Sequence, residues 1–491
     1  MTAGVDEVSI VPLRERMRSA LVERAGVSRR KATMAVLLSG VFTVHFAITL
    51  LVVVLDTVAK DLDTTVSVVS WSITAPMLMF AVIGPAFGTL GDLVGHKRVF
   101  VGGLLGAGIF AGLAAIAPNA PLLIVLRTLS AACGSATGPS AMAFTNRMFA
   151  PHERVRPLGM WSFVTAGAPV IGVVAGVPLV ESVGWRVIFL IQAPLCVLGA
   201  LTSWWLLRDT ERQPHARFDA AGALTLGGGA ALLLLGINRG SSWGWTSPMI
   251  VSAIVIGLML LVAFVQVERR VAAPMVPPAW FRTRNVAFPV LSQSLANFAY
   301  MGGFMILPQM LKDGVGLSLA TVGWLIIARP LTFAIAAPLG ARVTMRTGER
   351  FAGMFGSMTV FTSMIVLSTI REGTPLWVIA FGLGLSGLGL GVASPALSAL
   401  LANAVRDHEL GIASAMQQLI SQMGALLGAT VMITVHEATL DDGVLSSYAN
   451  ALVIGASLCV VAGLLAGEVR STDRSGTDPD PAGSGATGTT A

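Results

Sequence analysis

Residues 88–100 read Gly88-Thr-Leu-Gly-Asp-Leu-Val-Gly-His-Lys-Arg-Val-Phe100 and separate two apolar runs, at about 69–87 and 99–117. The turn combines one carboxylate with three basic side chains, and glycines interrupt it. Each flanking run is long enough to cross a bilayer as a helix. A weaker copy of the turn follows 253 positions later, from Pro338 to Arg350. A charged turn between membrane-length segments, present twice in the chain, predicts a membrane transporter built from two repeats.

The composition of the chain excludes a soluble protein. Of its residues 54% are hydrophobic and only 12% are charged, and the mean hydropathy is +0.77. So few charges cannot cover the surface of a soluble domain. The short alternating segments that membrane strands require are missing from the sequence. The chain is therefore predicted to be an all-α polytopic membrane protein, since backbone groups in lipid must bond within helices.

The apolar runs predict fourteen membrane spans. Their approximate positions are residues 32–55, 69–90, 98–117, 121–143, 158–181, 187–207, 220–238, 248–267, 286–311, 319–341, 350–370, 375–402, 410–434 and 447–467.

The distribution of Lys and Arg is consistent with this count, because cytoplasmic loops carry an excess of them. Of the 32 Lys and Arg residues, the alternation assigns 25 to the N-terminal side and two, Arg127 and Arg329, to span interiors. The other side receives five, which are Lys60, Arg186, Arg239, Lys312 and Arg371. Both termini are therefore expected in the cytoplasm, and the net charge of +6 calls for no nucleic-acid partner.

Matching residues recur in one register across the two halves of the chain. Pro85, Gly95 and Lys97 align with Pro338, Gly348 and Arg350 at an offset of 253. This pattern predicts two parallel six-helix repeats with two additional spans between them. The predicted parts are a cytoplasmic segment 1–31, a six-helix bundle 32–207, a linker 208–285 with two extra membrane helices, a second six-helix bundle 286–467 and a disordered tail 468–491.

These features resemble the major facilitator superfamily, specifically its fourteen-helix drug–proton antiporter branch, over about residues 32–467. The loop signature G-x-L-x-D-x-x-G-x-[RK]-[RK] of this family is met by Gly88, Leu90, Asp92, Gly95, Lys97 and Arg98. Its fourth-helix signature, an arginine with a proline twelve positions later, is met by Arg127 and Pro139. The phrases Trp185–Pro194, Phe218–Gly222 and Gly411–Ala415 are similar to segments of the same branch.

The resemblance implies a secondary active efflux transporter of the inner membrane. Such a protein exports small amphipathic, drug-like compounds in exchange for protons by alternating access. The chain departs from the branch in the first span, where Ala47 stands at the position of the usual acidic residue. Two alternatives stay open, a dedicated exporter of one metabolite or lipid and a transport-inactive membrane receptor or scaffold.

The turn is interpreted as a conformational latch between two bundles that rock. A carboxylate at the end of the second span accepts hydrogen bonds in one conformation and releases them in the other. The predicted latch residues are Gly88, Asp92, Gly95, Lys97, Arg98 and Arg156. The alternative is a solvated turn whose charges only set the topology.

Two arginines lie inside spans, where an unpaired guanidinium is costly. The resemblance implies that Arg127 holds substrate or protonation-linked water. Arg329, which precedes Pro330, has no counterpart in the family pattern and is a candidate anchor for an anionic group. The alternatives are an Arg127 that reaches the membrane surface and an Arg329 that donates to a carbonyl freed by Pro330.

Two further residues are candidates for carrying a proton in place of the absent acid. His45 lies well inside the first span, and imidazole titrates near neutral pH. It is equally consistent with a hydrogen-bonded packing histidine. Asp56, at the outer end of the first span, is either a substitute acid or a solvated interfacial carboxylate.

Sparse amides among aromatic side chains at helical spacing suit adaptable apolar ligands. The predicted substrate cavity therefore contains Trp161, Phe163, Gln293, Asn297, Tyr300, Phe304, Gln418 and Gln422. A helix-packing stripe is the alternative for each of them.

The sequence predicts neither an enzyme nor a cofactor site. None of the four lysines follows a glycine, so no phosphate-binding loop is present. The three cysteines all lie in apolar spans, where a metal site or disulfide is not expected. The expected partners are the lipid bilayer, a small-molecule substrate and protons, and the chain is expected to act as a monomer.

Overall fold

The computed structural model describes residues 28–208, 219–271, 278–406 and 409–469. These residues form helices and contain no strand. The long helices are α1 (Arg29–Val53), α2 (Trp71–Val94), α3 (His96–Ala115), α4 (Ala120–Gly134 followed by Thr137–Met148), α5 (Val155–Val183), α6 (Val187–Leu206), α7 (Ala220–Trp243), α8 (Pro248–Glu268), α9 (Arg284–Gln309), α10 (Leu319–Thr347), α11 (Glu349–Ser368), α12 (Leu376–Ala404), α13 (Leu410–Ala438) and α14 (Val444–Gly467).

Twelve segments of the described residues are long and apolar enough to cross a membrane. They correspond to every long helix except α1 and α5, which have 25 and 29 residues but include side chains outside the described part. The all-helical fold with about twelve spans confirms the predicted class, and the count of fourteen stays a prediction. The predicted segment 1–31 and tail 468–491 lie almost wholly outside the described residues.

Two glycines form the same joint in each half of the chain. Gly95 ends α2 and begins α3 with a φ of 100°, and Gly348 joins α10 to α11 with a φ of 94°. A side chain disfavours this left-handed conformation, so glycine suits both joints. The two joints are separated by the offset of 253 that the sequence shows.

Each half has its own apolar core. In the second half, one cluster contains residues of all six helices α9–α14. It includes the fully buried Met310, Met364 and Leu452. In the first half Leu104 belongs to a cluster on the side of Gly95, and Leu123 belongs to a cluster at the opposite end. The buried residues of each of these three clusters therefore come from one half.

The two halves touch at the end of the bundle that carries Gly95, hereafter the motif end. A Cβ on Gly88 of α2 would lie 2.8 Å from the carbonyl oxygen of Gly411 in α13. A Cβ on Gly159 of α5 would lie 2.7 Å from the carbonyl oxygen of Ala337 in α10. Such close backbone approaches need glycine. They bring the halves into direct contact at the motif end.

Helix α7 lies beside the contact between the halves. Gly227 of α7 faces Val82 of α2, and the hydroxyl of Thr430 in α13 donates to the carbonyl oxygen of Ile237 at 3.2 Å. The apolar, membrane-length part of α7 is Ala220–Ile237, which agrees with the predicted span 220–238, and the helix itself continues to Trp243. Arg239 was expected in an outer loop, but it lies within α7 and is 8% exposed. The guanidinium carbon of Arg239 lies 4.0 Å from the ring centroid of Trp71, and this cation–π contact stabilises the charge within the helix.

Candidate functional site

A cavity that is open on one side lies between the halves. It is bordered by helices α1, α2, α3, α4 and α6 of the first half and by α13 of the second. The lining is mostly apolar with a few polar groups, as in small-molecule binding sites. The lining residues are Val44, His45, Ile73, Pro76, Met77, Phe80, Ala107, Arg127, Ser130, Ala131, Gln192, Gln418 and Gln422.

Arg127 supplies a positive charge to this cavity from the interior of α4. It is 8% exposed, and its Nε donates to the carbonyl oxygen of Ser72 at 3.1 Å. Its guanidinium carbon lies 5.2 Å from the ring centroid of Phe189. Among the described residues, no group accepts a hydrogen bond from its two terminal nitrogens. These nitrogens therefore keep their donors for a ligand or for water.

His45 borders the cavity from α1 in a defined tautomer. Its Nδ1 lies 2.9 Å from the carbonyl oxygen of Val41, and a carbonyl oxygen only accepts, so Nδ1 carries a hydrogen. The neutral ring then keeps a lone pair on Nε2. The ring packs edge-on against Phe80, with centroids 5.5 Å apart. Nε2 is thus the atom that takes up a proton or accepts from a ligand.

Three amides complete the polar lining. Gln418 and Gln422 were predicted in the cavity, and the structure places both there on α13. Gln192 on α6 was missed, although it interrupts the apolar segment Val187–Val197, which was the available signal. Its Nε2 donates to the carbonyl oxygen of Thr43 at 3.4 Å.

The other six predicted cavity residues do not border this cavity. Trp161 packs against the apolar core of the first half, and Phe163 is 46% exposed. On α9, the amide of Asn297 donates to the carbonyl oxygen of Gln293 at 3.0 Å, and Gln293 itself is 6% exposed. The remaining two are Tyr300, whose ring contacts Arg329, and Phe304. The spacing in the sequence predicts that the four residues on α9 share one face of that helix. In the structure, α12, α13 and α14 pack against α9.

Arg329 lies in the core of the second half, not in the cavity. It is 0% exposed, its Nε donates to the hydroxyl of Ser386 at 2.9 Å, and its Nη2 donates to the carbonyl oxygen of Tyr300 at 2.5 Å. Its guanidinium carbon lies 4.3 Å from the ring centroid of Tyr300. Arg329 thus links α10 to α9 and α12, and its carbonyl partner comes from α9 instead of from the turn before Pro330.

The partners of Asp92 differ from those predicted. Its Oδ1 lies 2.9 Å from Nε2 of His96 and 3.5 Å from Nη2 of Arg147, which lies in the last turn of α4. Arg98 and Arg156 are exposed, and the ammonium of Lys97 lies 5.0 Å from the ring centroid of Trp204. The predicted partners Lys97 and Arg98 follow Asp92 in the same turn, whereas the end of α4 brings Arg147 to the carboxylate.

The carboxylate of Asp92 also lies beside the first turn of α13. A Cβ on Gly411 would be 3.3 Å from Oδ2 of Asp92 and 2.7 Å from Cε1 of His96. The positive end of a helix dipole stabilises a nearby carboxylate. Asp92 therefore sits where the first half meets the second.

A second polar contact joins the halves at the motif end. Nη1 of Arg154 donates to the carbonyl oxygen of Ala402 at 2.8 Å and to Oδ1 of Asn403 at 3.0 Å. The amide of Asn403 in turn donates to the carbonyl oxygen of Pro151 at 3.2 Å. The sequence predicted Arg156 for the latch, whereas in the structure Arg154 makes this contact. These contacts close the motif end between α4, α5 and α12.

The side chain of Asp56 lies outside the described part of the structure, so its predicted role has no structural description. The short helix Leu55–Asp61 that contains it ends in an ion pair between Asp61 and Arg186. Trp185 also donates its indole N–H to Asp61 at 3.0 Å. The Arg186 guanidinium and this indole hold the pKa of the Asp61 carboxyl below its ordinary value.

A sequence model described as the Major Facilitator Superfamily matches residues 37–223 and 289–487 of the chain. The matched ranges leave out residues 224–288, which hold most of α7 and all of α8.

The chain is 29% identical over 458 residues to the puromycin resistance protein pur8 of Streptomyces alboniger, covering 89% of this chain and 91% of that protein. It is 25% identical over 426 residues to the tetracenomycin C resistance and export protein of Streptomyces glaucescens, covering 85% and 78%. The solved structure of the human organic anion transporter MFSD10 (TETRAN) has a TM-score of 0.67 at 15% identity, covering 89% of this chain and 99% of that one. This last similarity concerns the fold alone.

Proposed function

Because the chain belongs to the major facilitator superfamily, we propose that it is a secondary active transporter that exports small amphipathic, drug-like compounds. The observation that carries this proposal is the cavity that both halves border, with the halves in contact at the motif end. Relatives of similar length are named as antibiotic resistance and export proteins. The proposed cycle is alternating access, in which the contacts of Asp92 and Arg154 open and close together.

The proposed topology has fourteen spans in the inner membrane with the motif end and both termini in the cytoplasm. The length of α1 and α5 supports adding them to the twelve apolar segments. The family match that skips residues 224–288 supports α7 and α8 as an insertion between two six-helix halves. The Lys and Arg distribution supports the cytoplasmic assignment of the motif end.

We further propose that export is coupled to proton entry through His45. Its Nε2 borders the cavity with a free lone pair when the ring is neutral. A proton and a hydrogen-bond donor on the substrate compete for this lone pair, so the two ligands bind alternately. Competition of this kind needs no acidic residue in α1.

A reconstituted system tests both statements. Proteoliposomes that contain the protein are expected to transport a drug across the membrane. When the drug is added, protons are expected to cross the same membrane in the opposite direction. His45→Gln keeps a polar side chain but cannot take up a proton at neutral pH, so it is expected to retain drug binding and lose the proton flux. Gln192→Asn is the matched polar control in the same cavity. An undiminished proton flux in His45→Gln contradicts the coupling, and no flux of drug in the wild type contradicts export.

Arg329 is fully buried away from the cavity, so we do not assign it as the anchor for an anionic substrate. No feature of the described residues favours a receptor or scaffold over a transporter.

A further inference from the structure

Within the long helices, acidic residues occur only near the helix ends. Only five lie within the bounds of these helices, and each is within three positions of a helix end. They are Asp92, Glu181, Glu268, Glu349 and Glu437. The middle of the bundle therefore lacks a carboxylate along the described helices, and none is among the described residues that line the cavity.

The charge that does occur at the cavity is positive. Arg127 lies in the interior of α4 and has its Nε occupied by Ser72, while its terminal nitrogens have no acceptor among the described residues. An arginine keeps its charge at any physiological pH. A bound organic cation would be repelled by this guanidinium in a medium of low dielectric constant, with no described carboxylate to offset it.

We propose that the cavity binds uncharged or acidic, oxygen-rich amphipathic compounds and rejects organic cations. A carbonyl, phenolate or carboxylate oxygen of the ligand accepts from the terminal nitrogens of Arg127, and a hydroxyl donates to Nε2 of His45. This assignment rests on the proposed export function and specifies its substrate class.

The rest of the lining suits the same class. Met77 and Phe80 of α2 offer an adaptable apolar surface to the hydrocarbon part of a ligand. Gln418 and Gln422 of α13 offer both donors and acceptors to further oxygens. Because these amides come from the second half, a ligand that bonds to them and to Arg127 contacts both halves at once.

Binding of two matched dyes to the purified full-length protein tests the proposal. Fluorescein and rhodamine 123 share a xanthene scaffold, but fluorescein is an oxygen-rich anion and rhodamine 123 is a cation. The protein is expected to bind fluorescein at least about tenfold more tightly, as measured by fluorescence anisotropy. Arg127→Gln is expected to weaken fluorescein binding about tenfold and to leave rhodamine binding unchanged or stronger.

A gain of cation binding tests the same idea without relying on a loss of function. Met77 borders the cavity and is 42% exposed, so a carboxylate is accommodated there. Met77→Glu is expected to strengthen rhodamine binding and weaken fluorescein binding. Met77→Gln introduces a side chain of the same shape as glutamate but without its charge. This variant is expected to change the ratio of the fluorescein and rhodamine affinities far less.

The outcomes separate the substrate class from the export function. A wild-type protein that prefers rhodamine 123, or that binds neither dye, overturns the assigned class. If the dye result overturns the class but a strain that lacks the protein is more sensitive to drugs, the proposed export function is still supported. A preference for fluorescein in a protein that transports no compound leaves the class intact and contradicts the export function.

Discussion

Two buried arginines illustrate what the sequence predicts at the scale of a residue. Arg127 and Arg329 both lie inside spans, and the cost of burying a guanidinium marked both as candidate functional residues. The structure places Arg127 at the cavity and Arg329 in a packed core. The sequence cannot separate these cases, because the difference depends on which neighbouring helices cover each side chain.

The contacts of Arg329 predict a role in stability. Arg329→Lys is expected to lower the free energy of unfolding by about 1–3 kcal/mol, because one ammonium cannot reproduce the fork that serves both Ser386 and Tyr300. The melting temperature in detergent measures this loss. Arg342→Lys, at an exposed position of the same helix, is the matched control and is expected to have little effect. Weaker dye binding in Arg329→Lys at an unchanged melting temperature would instead place Arg329 in the substrate site.

At the scale of the helix, the sequence predicted most boundaries and the joints at Gly95 and Gly348. It predicted the faces of the helices less well. Gln293 and Tyr300 share a face of α9, but in the structure that face packs within the second half. The helices are apolar nearly all round, so periodicity does not show which side meets a cavity. Arg239 shows the same limit, since the aromatic partner that admits its charge into α7 comes from α2.

The crossing of α2 and α13 gives a sharp test at this scale. Gly88→Ala is expected to reduce transport strongly, because the added Cβ would lie 2.8 Å from the carbonyl oxygen of Gly411 and push the halves apart at the motif end. Gly84→Ala is the matched control one turn earlier, where a Cβ meets no atom within 4 Å. Drug efflux from proteoliposomes compares the two variants. Equal transport in both would mean that the close contact of α2 with α13 is dispensable.

At the scale of the whole molecule, the chain consists of two halves with a cavity between them and contacts at one end. The repeat predicts two halves from the sequence, and the charge distribution predicts which end faces the cytoplasm. The latch partners were less predictable. Arg147 and Arg154 reach Asp92 and Asn403 only because distant segments meet at the motif end. An isolated sequence contains the residues of such a contact but not their pairing.

The central claim is that the halves rock about the cavity and that the motif end opens in the alternate conformation. Spin labels at positions 98 and 350, which are exposed at the motif end on opposite halves, report this motion as a distance distribution. Two distance populations are expected, with a ratio that changes on adding fluorescein and a larger long-distance fraction in Asp92→Asn. A single distance that neither the ligand nor the substitution alters would contradict alternating access in this protein.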